Sequence, residues 1–217
     1  MTTEAPSRIL IVDDHPVMRL GLKSLVEVES NLEVVAEAGT ATKGLEYVKN
    51  LPDLDLAIID VALPDRSGLE LLKDIRIERP DLKCLVISSH DEDVYAERVL
   101  RAGGRGYVMK DKAPEQLIEA ITQVLGGGVF LSPAMTTQLM EQFAGGKYGS
   151  AVSTLTDREL EVFRAMGEGK SSREIAGALN ISIRTVDAHR THIKEKLGVG
   201  DAAELTYFAI RWVESQV

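Results

Sequence analysis

Short apolar runs alternate with longer amphipathic segments through the first half of the chain. The first run spans residues 8–13 and precedes a helical pattern over 16–29. Similar runs, each followed by a helical segment of about ten residues, come at 33–38, 56–60, 84–88 and 106–109. Because parallel strands need a crossover connection, five such units predict a parallel sheet that helices cover on both faces.

Glycine-rich stretches divide the chain into two domains. The pattern breaks at residues 126–128 and again at 144–149. We therefore predict a first domain over 7–125, a linker over 126–152 with a short helix at Pro133–Phe143, and a second domain over 153–217. With five strands in about 120 residues, the first domain is expected to be a doubly wound, flavodoxin-like α/β fold with strand order 2-1-3-4-5.

The second half of the chain carries only helical patterns. Thr156 and Glu159 have the spacing of a capping box, which predicts a helix start. Residues 172–191 have helix-turn-helix spacing, with a short helix, a turn and a longer helix. Ser182 is suited to cap the longer helix and Gly198 to end it, and a last helix is predicted over 202–214. We therefore predict that the second domain is all-α.

Composition and charge restrict the possible functions. The 217 residues are 44% hydrophobic and 27% charged, which is typical of a globular protein, and the net charge is −9. From Ser150 onward nine cations face ten acidic residues, so most of the acidity lies in the first 149 residues. An acidic chain therefore still allows DNA binding by the second domain. The single cysteine excludes an internal disulfide, and without an apolar run or signal peptide we expect a cytoplasmic protein with no membrane partner.

Three aspartates follow neighbouring strands of the predicted sheet. Asp13 and Asp14 come at the end of the first strand, and Asp60 ends the third. Ligands of such sheets bind beyond the carboxyl ends of the strands, so these carboxylates are expected to share one crevice. Close carboxylates either raise one another's pKa or bind a hard cation, which predicts a Mg²⁺ site. Asp60 is then a candidate nucleophile for phosphoryl transfer.

Two further strand ends supply groups that bind phosphate oxygens. Ser88 ends the fourth strand with a hydroxyl, and Lys110 follows the fifth with an ammonium group. Each of these polar residues taken alone also fits an ordinary helix cap. Five of them at one edge of a single sheet favour a functional site.

These residues resemble the receiver domain of two-component response regulators. The resemblance is carried by Ile-Val-Asp13-Asp14-His-Pro, Asp60-Val-Ala-Leu-Pro64-Asp-Arg-Ser-Gly68, Ser88-Ser89 and Tyr107-Val-Met-Lys110. It implies a CheY-like fold in which a sensor histidine kinase phosphorylates Asp60 and Lys110 pairs with the phosphoryl group. It also implies that Mg²⁺ is arranged by the carboxylates of Asp13, Asp14 and Asp60 and by the backbone carbonyl of Ala62.

The same resemblance implies a conformational switch. Ser88 is expected to move toward the phosphate and let Tyr107 turn inward, which reshapes the face formed by the fourth helix, the fifth strand and the fifth helix. The alternative for Tyr107 is an ordinary half-buried aromatic residue of a strand.

The longer helix of the helix-turn-helix segment has a basic exposed face. Arg184, Arg190, Lys194 and Lys196 outnumber Asp187 and Glu195 within it. Charge alone also fits the solvated face of a plain helical bundle.

The second half is, however, similar to LuxR-type domains, and the whole chain resembles the NarL/FixJ family. The motifs are Leu155-Thr-Asp-Arg-Glu-Leu-Glu-Val, Gly169-Lys-Ser-Ser-Arg-Glu-Ile-Ala and the run from Arg184 to Gly198. The resemblance implies a four-helix domain whose third helix enters the major groove, and a homodimer that pairs through the last helix on promoter DNA. The implied DNA contacts are Lys170, Arg184, Thr185, Asp187, Ala188, Arg190, Thr191 and Lys194.

Asp187 has two possible roles on that helix. Its carboxylate can accept a hydrogen bond from a cytosine amino group, or it can orient a neighbouring arginine, since it would repel phosphate.

Two other functions remain open from the residues. A phosphohydrolase with an aspartyl-phosphate intermediate would also use Asp60, Mg²⁺ and Lys110, but it needs a general acid where the chain has Ala62. The second alternative function is that of a DNA-binding regulator that works without phosphorylation. We expect a transcriptional regulator rather than an enzyme, whose only catalysis is its own phosphorylation and dephosphorylation.

Overall fold

The computed structural model of the chain describes residues 5–143 and 151–214. Internal contacts divide the chain into two units, Met1–Glu141 and Gln142–Val217. Within the described ranges, no helix is both long and apolar enough to cross a membrane.

The first unit alternates five strands with five helices and ends in a sixth helix. The strands are β1 (Ser7–Val12), β2 (Leu32–Ala38), β3 (Leu56–Asp60), β4 (Lys83–Ser88) and β5 (Tyr107–Met109). The helices are α1 (Pro16–Val26), α2 (Ala41–Asn50), α3 (Gly68–Glu78), α4 (Glu92–Ala102), α5 (Ala113–Leu125) and α6 (Pro133–Phe143). The bounds predicted from the sequence agree with these strands and helices to within a few residues. α1 ends at Val26, before the predicted end at residue 29, because the Glu29 amide donates to the Val26 carbonyl.

All five strands are parallel and lie in the order β2-β1-β3-β4-β5. The predicted doubly wound α/β fold is therefore confirmed. The central strands are apolar on both faces because helices cover both; every residue of β3, for example, is buried. A cluster that includes Ile9, Ile58, Leu85, Val108 and Leu117 forms the core on one face. This packing brings the ends of β1, β3, β4 and β5 to one edge of the sheet.

The predicted linker begins as an extension of the first unit. Phe130 pairs in parallel with Gly106, because its amide donates to the Arg105 carbonyl and its own carbonyl accepts from the Tyr107 amide, both at 3.0 Å. The side chain of Ser132 caps α6 by accepting from the Met135 amide at 3.1 Å, and Met135 is fully buried. Residues 126–141 thus belong to the first unit, while 144–150 lie outside the described residues.

The second unit is helical, as predicted. Its helices are α7 (Asp157–Gly167), α8 (Ser172–Ala178), α9 (Ile183–Leu197) and α10 (Ala202–Glu214). The predicted capping box of Thr156 and Glu159 forms, and a second one joins Ser171 to Glu174. α9 begins after Ser182, which accepts from the Thr185 amide, and ends at Gly198, whose left-handed φ of +68° favours glycine.

A short turn sets α8 against α9. Asn180 in this turn has a φ of +50°, a conformation that asparagine tolerates better than most side chains do. Ile175, Val186 and Ile193 are fully buried where these helices pack with α7. α7 also packs against α10, where the ring centroids of Phe163 and Trp212 lie 5.5 Å apart. The helix-turn-helix segment is therefore fixed on a small apolar core.

We predict that Gly167→Ala destabilises the second unit. A methyl group at Gly167 would lie 2.4 Å from the Ala209 carbonyl oxygen, so α7 and α10 would have to separate. The expected loss is about 2 kcal/mol in the free energy of unfolding. Urea unfolding of the full chain, followed by the fluorescence of its only tryptophan, Trp212, measures this unit.

The matched control is Gly177→Ala in α8, where nothing lies within 4 Å of the added methyl group. It is expected to stabilise the helix by up to about 1 kcal/mol, because alanine has the higher helix propensity. Equal unfolding midpoints for the two variants would contradict the packing argument.

Candidate functional site

Four residues place ionisable groups together at the carboxyl edge of the sheet. Single ligand atoms of Asp13, Asp14, His15 and Asp60 all lie within 4.8 Å of one another. Asp13 and Asp60 are almost fully buried, whereas the Asp14 side chain is 32% exposed. β1 and β3 are neighbours in the sheet, so the three aspartates meet as the sequence predicts.

Lys110 lies between the two buried carboxylates. It begins the short 3₁₀ turn Lys110–Lys112 directly after β5. Its Nζ is 2.7 Å from Asp13 Oδ2 and 2.7 Å from Asp60 Oδ2, so one ammonium group bridges two strands. Burial opposes the charge of Lys110, but the hydrogen bonds to Asp13 and Asp60 outweigh it and raise its pKa.

The carboxyl group of Asp60 has a strongly shifted pKa. Burial raises the pKa of Asp60 to about 6 even though Lys110 opposes the rise, and the nearby charge of Asp13 adds to it. Its Oδ1 accepts a hydrogen bond from the Ala62 amide at 3.2 Å. Asp60 is therefore a buried carboxyl group with one ammonium and one amide donor, poised to change charge near neutral pH.

The loop after β3 is tied down at two points. The Gly68 amide donates to the Val61 carbonyl at 2.8 Å, and a methyl group on Gly68 would lie 2.0 Å from the Asp60 carbonyl oxygen, so only glycine fits. Asp65 accepts hydrogen bonds from the Ala41 and Thr42 amides at the start of α2, at 2.9 and 2.8 Å. Asp65 was not predicted to have a role, because no local sequence pattern relates it to a helix that begins 24 residues earlier.

The donor set of this cluster suits a hard divalent cation. Asp13, Asp14 and Asp60 offer only carboxylate oxygens, which Mg²⁺ prefers. His15, which the sequence analysis did not assign a role, is exposed and its Nδ1 lies 2.6 Å from Asp14 Oδ1. The residues present are thus compatible with Mg²⁺, while the role of the Ala62 carbonyl stays a prediction.

Ser88 and Tyr107 are connected through the loop that follows β4. Ser88 is buried and its hydroxyl accepts from the His90 amide at 3.1 Å. The Tyr107 side chain already points inward, with 1% exposure, and its hydroxyl donates to the His90 carbonyl at 2.7 Å. Burial raises the pKa of Tyr107, although a hydrogen bond with Ser88 opposes this. Tyr107 is therefore fully buried rather than half-buried. Its hydroxyl and that of Ser88 both form hydrogen bonds with the backbone of His90.

The second unit presents most of the predicted DNA contacts on α9. Arg184, Thr185, Asp187, Ala188 and Thr191 are exposed, and Arg190 and Lys194 are partly exposed. Arg184 and Lys194 make no ion pair within the described part of the chain, so both charges are free to meet phosphate.

Several polar side chains near α9 are already engaged. The Thr185 hydroxyl lies 2.7 Å from that of Ser182 in the helix cap, and the Thr191 hydroxyl donates to the Asp187 carbonyl at 3.1 Å. Lys170 pairs with Glu168 at 2.8 Å.

Lys196, which the sequence analysis counted among the cations of α9, serves a different purpose. Its Nζ lies 2.6 Å from Glu159, a buried residue of α7. The pKa of Glu159 is lowered; its burial acts in the opposite sense, but hydrogen bonds from Lys196 and Thr156 prevail. Lys196 therefore joins α9 to α7.

Both units match models of known protein families. Residues 9–122 match the response regulator receiver domain, and residues 153–209 match the bacterial regulatory proteins of the luxR family. The oxygen regulatory protein NreC of Staphylococcus carnosus is 35% identical over 212 residues, which cover 94% of this chain and 97% of NreC. NreC of Staphylococcus haemolyticus is 34% identical with the same coverage.

Solved structures are similar over almost the whole chain. RcsB from Salmonella enterica serovar Typhimurium, bound to a promoter in the presence of the phosphomimetic BeF3-, has a TM-score of 0.69 and 28% identity, covering 96% of this chain and 98% of RcsB. The response regulator ChrA of a heme-sensing two-component system has a TM-score of 0.53 and 27% identity, covering 99% of this chain and all of ChrA.

We predict that Tyr107→Phe loosens the loop between β4 and α4. The substitution removes the hydroxyl that donates to the His90 carbonyl at 2.7 Å, and the loss of one such hydrogen bond lowers the free energy of unfolding by about 1 kcal/mol. Hydrogen exchange of the amides at 89–91 should become faster, and urea unfolding of the receiver followed by circular dichroism should shift to lower concentration.

Tyr47→Phe on α2 is the matched control. Tyr47 is partly exposed with the Lys43 ammonium 4.8 Å from its ring, and its hydroxyl has no hydrogen bond among the residues described. If both variants exchange these amides at the wild-type rate, the Tyr107 hydroxyl does not hold the loop.

Proposed function

Because the chain belongs to the NarL/FixJ family of two-component response regulators, with a receiver domain followed by a LuxR-type DNA-binding domain, we propose that phosphorylation of Asp60 controls its binding to promoter DNA. The observation that carries this proposal is the position of Lys110. Its Nζ bridges the buried carboxylates of Asp13 and Asp60 at 2.7 Å each, at the sheet edge where a phosphoryl group would enter.

The phosphodonor is a phosphohistidine of a sensor histidine kinase. The Asp60 carboxylate attacks the phosphorus, an oxygen–phosphorus bond forms, and the nitrogen–phosphorus bond breaks with its electron pair left on the kinase imidazole. Lys110 then moves its hydrogen bonds to the phosphoryl oxygens, because a third negative group lies within its reach. Ser88 is buried beside the same edge and offers its hydroxyl to another phosphoryl oxygen.

Mg²⁺ fits the charge of this site. The carboxylates of Asp13, Asp14 and Asp60 with the single Lys110 ammonium leave two negative charges, which a divalent cation neutralises. We assign its binding to these three carboxylates and to the Ala62 carbonyl. When bound, Mg²⁺ would screen the repulsion between the carboxylates and the incoming phosphoryl group.

The switch runs from Ser88 to the loop before α4. The Ser88 hydroxyl accepts from the His90 amide, and the Tyr107 hydroxyl donates to the His90 carbonyl. A movement of Ser88 toward a phosphate therefore changes the hydrogen bonds of the same residue that anchors Tyr107. Phosphorylation would shift the population of this loop, which supports the proposed change of the α4-β5-α5 face.

The second unit carries the output. We propose that α9 enters the major groove, with Asp187, Ala188 and Thr191 nearest the bases and Arg184, Arg190 and Lys194 nearer the phosphates, with Lys170 and Thr185 also in contact. RcsB occurs as dimers on DNA. By analogy, two copies of this chain would bind a two-fold promoter site. A regulator that binds promoter DNA would act in the cytoplasm, where the bacterial chromosome lies.

An aspartyl-phosphate hydrolase for other substrates is disfavoured by one position. Such an enzyme needs a general acid near the nucleophile, and the corresponding side chain is the exposed methyl group of Ala62. We propose that the receiver catalyses only its own phosphorylation and dephosphorylation.

The first experiment is phosphorylation with a small donor. Incubated with Mg²⁺ and acetyl phosphate, the protein should gain the mass of one phosphoryl group, form more dimer and bind promoter DNA more tightly. Asp60→Asn should show none of these changes, whereas Asp53→Asn, which alters an exposed aspartate between α2 and β3, should behave as wild type. Chelation of Mg²⁺ should prevent the adduct.

Two outcomes would contradict the proposal in different ways. An adduct that persists in Asp60→Asn would place the phosphoacceptor elsewhere. DNA binding that is equal with and without the adduct would establish a regulator that works without phosphorylation.

We predict that Arg184→Ala weakens binding to all DNA sequences alike. Arg184 is an exposed cation of α9 with no ion pair within the described part of the chain, so it is free to meet a phosphate. Its loss should lower the slope of log affinity against log salt by about one. The control Lys49→Ala removes an exposed charge of the receiver that pairs with Glu78. A salt slope that falls equally in both variants would mean that Arg184 meets no phosphate.

A further inference from the structure

Asp187 is an acidic residue in the middle of a basic surface. It is exposed on α9, and it lines a groove of about 240 Å³ with Arg190, Thr191 and Lys194. A bare carboxylate on a helix that approaches DNA would be repelled by the phosphates. A compensating contact or a specific partner in the DNA would offset this repulsion.

Ser172 supplies the compensating contact. Its hydroxyl donates to Asp187 Oδ1 at 3.1 Å and accepts from Arg190 Nη1 at 3.1 Å. A guanidinium group can only donate and a carboxylate can only accept, so the direction of both hydrogen bonds, from Arg190 to Ser172 and from Ser172 to Asp187, is fixed. Ser172 thus joins the first residue of α8 to the middle of α9, and it holds Asp187 and Arg190 in one neutral group.

The second carboxylate oxygen of Asp187 remains available. Among the residues that the structure describes, none donates a hydrogen bond to Oδ2. The carboxylate is therefore held through Oδ1, and Oδ2 can still accept a hydrogen bond.

The chemistry of base edges selects the partner of such an acceptor. In the major groove, guanine presents two acceptors and thymine one, so both would repel a carboxylate. Adenine has an amino group but places the N7 acceptor beside it, whereas cytosine presents its amino group without a neighbouring acceptor. A fixed carboxylate oxygen fits cytosine best.

We propose that Asp187, oriented by Ser172, selects a cytosine in each half-site of the operator. This inference rests on the proposed function, because it requires α9 to enter the major groove. Asp187 is then a specificity-determining residue and Ser172 a positioning residue, and Arg190 is tethered to the same group.

The test is selection of duplexes from a randomised library by the full-length, acetyl-phosphate-treated protein. Wild type should select one cytosine per half-site, preferred over the other bases by about 5- to 150-fold. Asp187→Asn should prefer adenine at that same position, because an asparagine side chain pairs with both N6 and N7. Asp187→Ala should lose the preference there and keep it elsewhere.

Three further variants separate base selection from general effects. Glu195→Gln removes another exposed acidic charge from α9. Like the Asp187 variants it should bind all DNA somewhat more tightly, because less negative charge faces the phosphates, but it should leave every base preference unchanged. Ser172→Ala should reduce the cytosine preference, and Ser172→Thr, which keeps the hydroxyl, should restore it. Thermal melting of each variant controls for folding, and the Ser171 cap remains in all of them.

The outcomes distinguish this inference from the proposed function. If the Asp187 variants change affinity for all sequences equally and keep the wild-type base profile, Asp187 only orients Arg190 and the inference is overturned. If wild type selects no sequence in either phosphorylation state, the proposed function fails and this inference with it.

Discussion

The bridge from Lys110 to Asp13 and Asp60 organises the receiver. Two carboxylates with almost no exposure would repel each other strongly in this setting, and burying either one without a partner would be highly unfavourable. One ammonium group 2.7 Å from each makes the arrangement stable and joins the ends of β1, β3 and β5. Burial raises the pKa of Asp60 to about 6 although this bridge opposes the rise, so the contact that stabilises the site also limits the shift.

The sequence predicts this site well because its residues stand at strand ends. Once the order β2-β1-β3-β4-β5 is inferred from apolar runs and crossovers, Asp13, Asp60, Ser88 and Lys110 must share an edge. Contacts between segments that are distant in the chain could not be predicted from the sequence. Asp65 bonds to the start of α2, and the complete burial of Tyr107 depends on the loop after β4. Neither has a periodic or local signal.

Charges in the second unit are divided between folding and binding. Lys196 pairs with Glu159 at 2.6 Å and joins α9 to α7. Arg158 pairs with Glu161 at 2.7 Å within α7 and donates a hydrogen bond to the Leu179 carbonyl at the end of α8. Counting cations along α9 therefore overstates the charge that can meet DNA. Among the described residues of the second unit several cations are already engaged in this way, so the proposed pairing of two copies and the proposed base contacts would contribute more to affinity.

The pairing of Phe130 with Gly106 has a consequence for self-association. β5 is the last strand of the sheet and has only three residues, and an uncovered edge of this kind is a template on which other chains can add strands and aggregate. Phe130 occupies the backbone groups of Arg105 and Tyr107. The opposite edge, β2, carries the exposed charge of Glu33 and the ion pair of Glu37 with Lys23 at 3.2 Å, and charged side chains at a strand edge disfavour the addition of another strand. The chain thus protects both margins of its sheet, one by its own backbone and the other by charge.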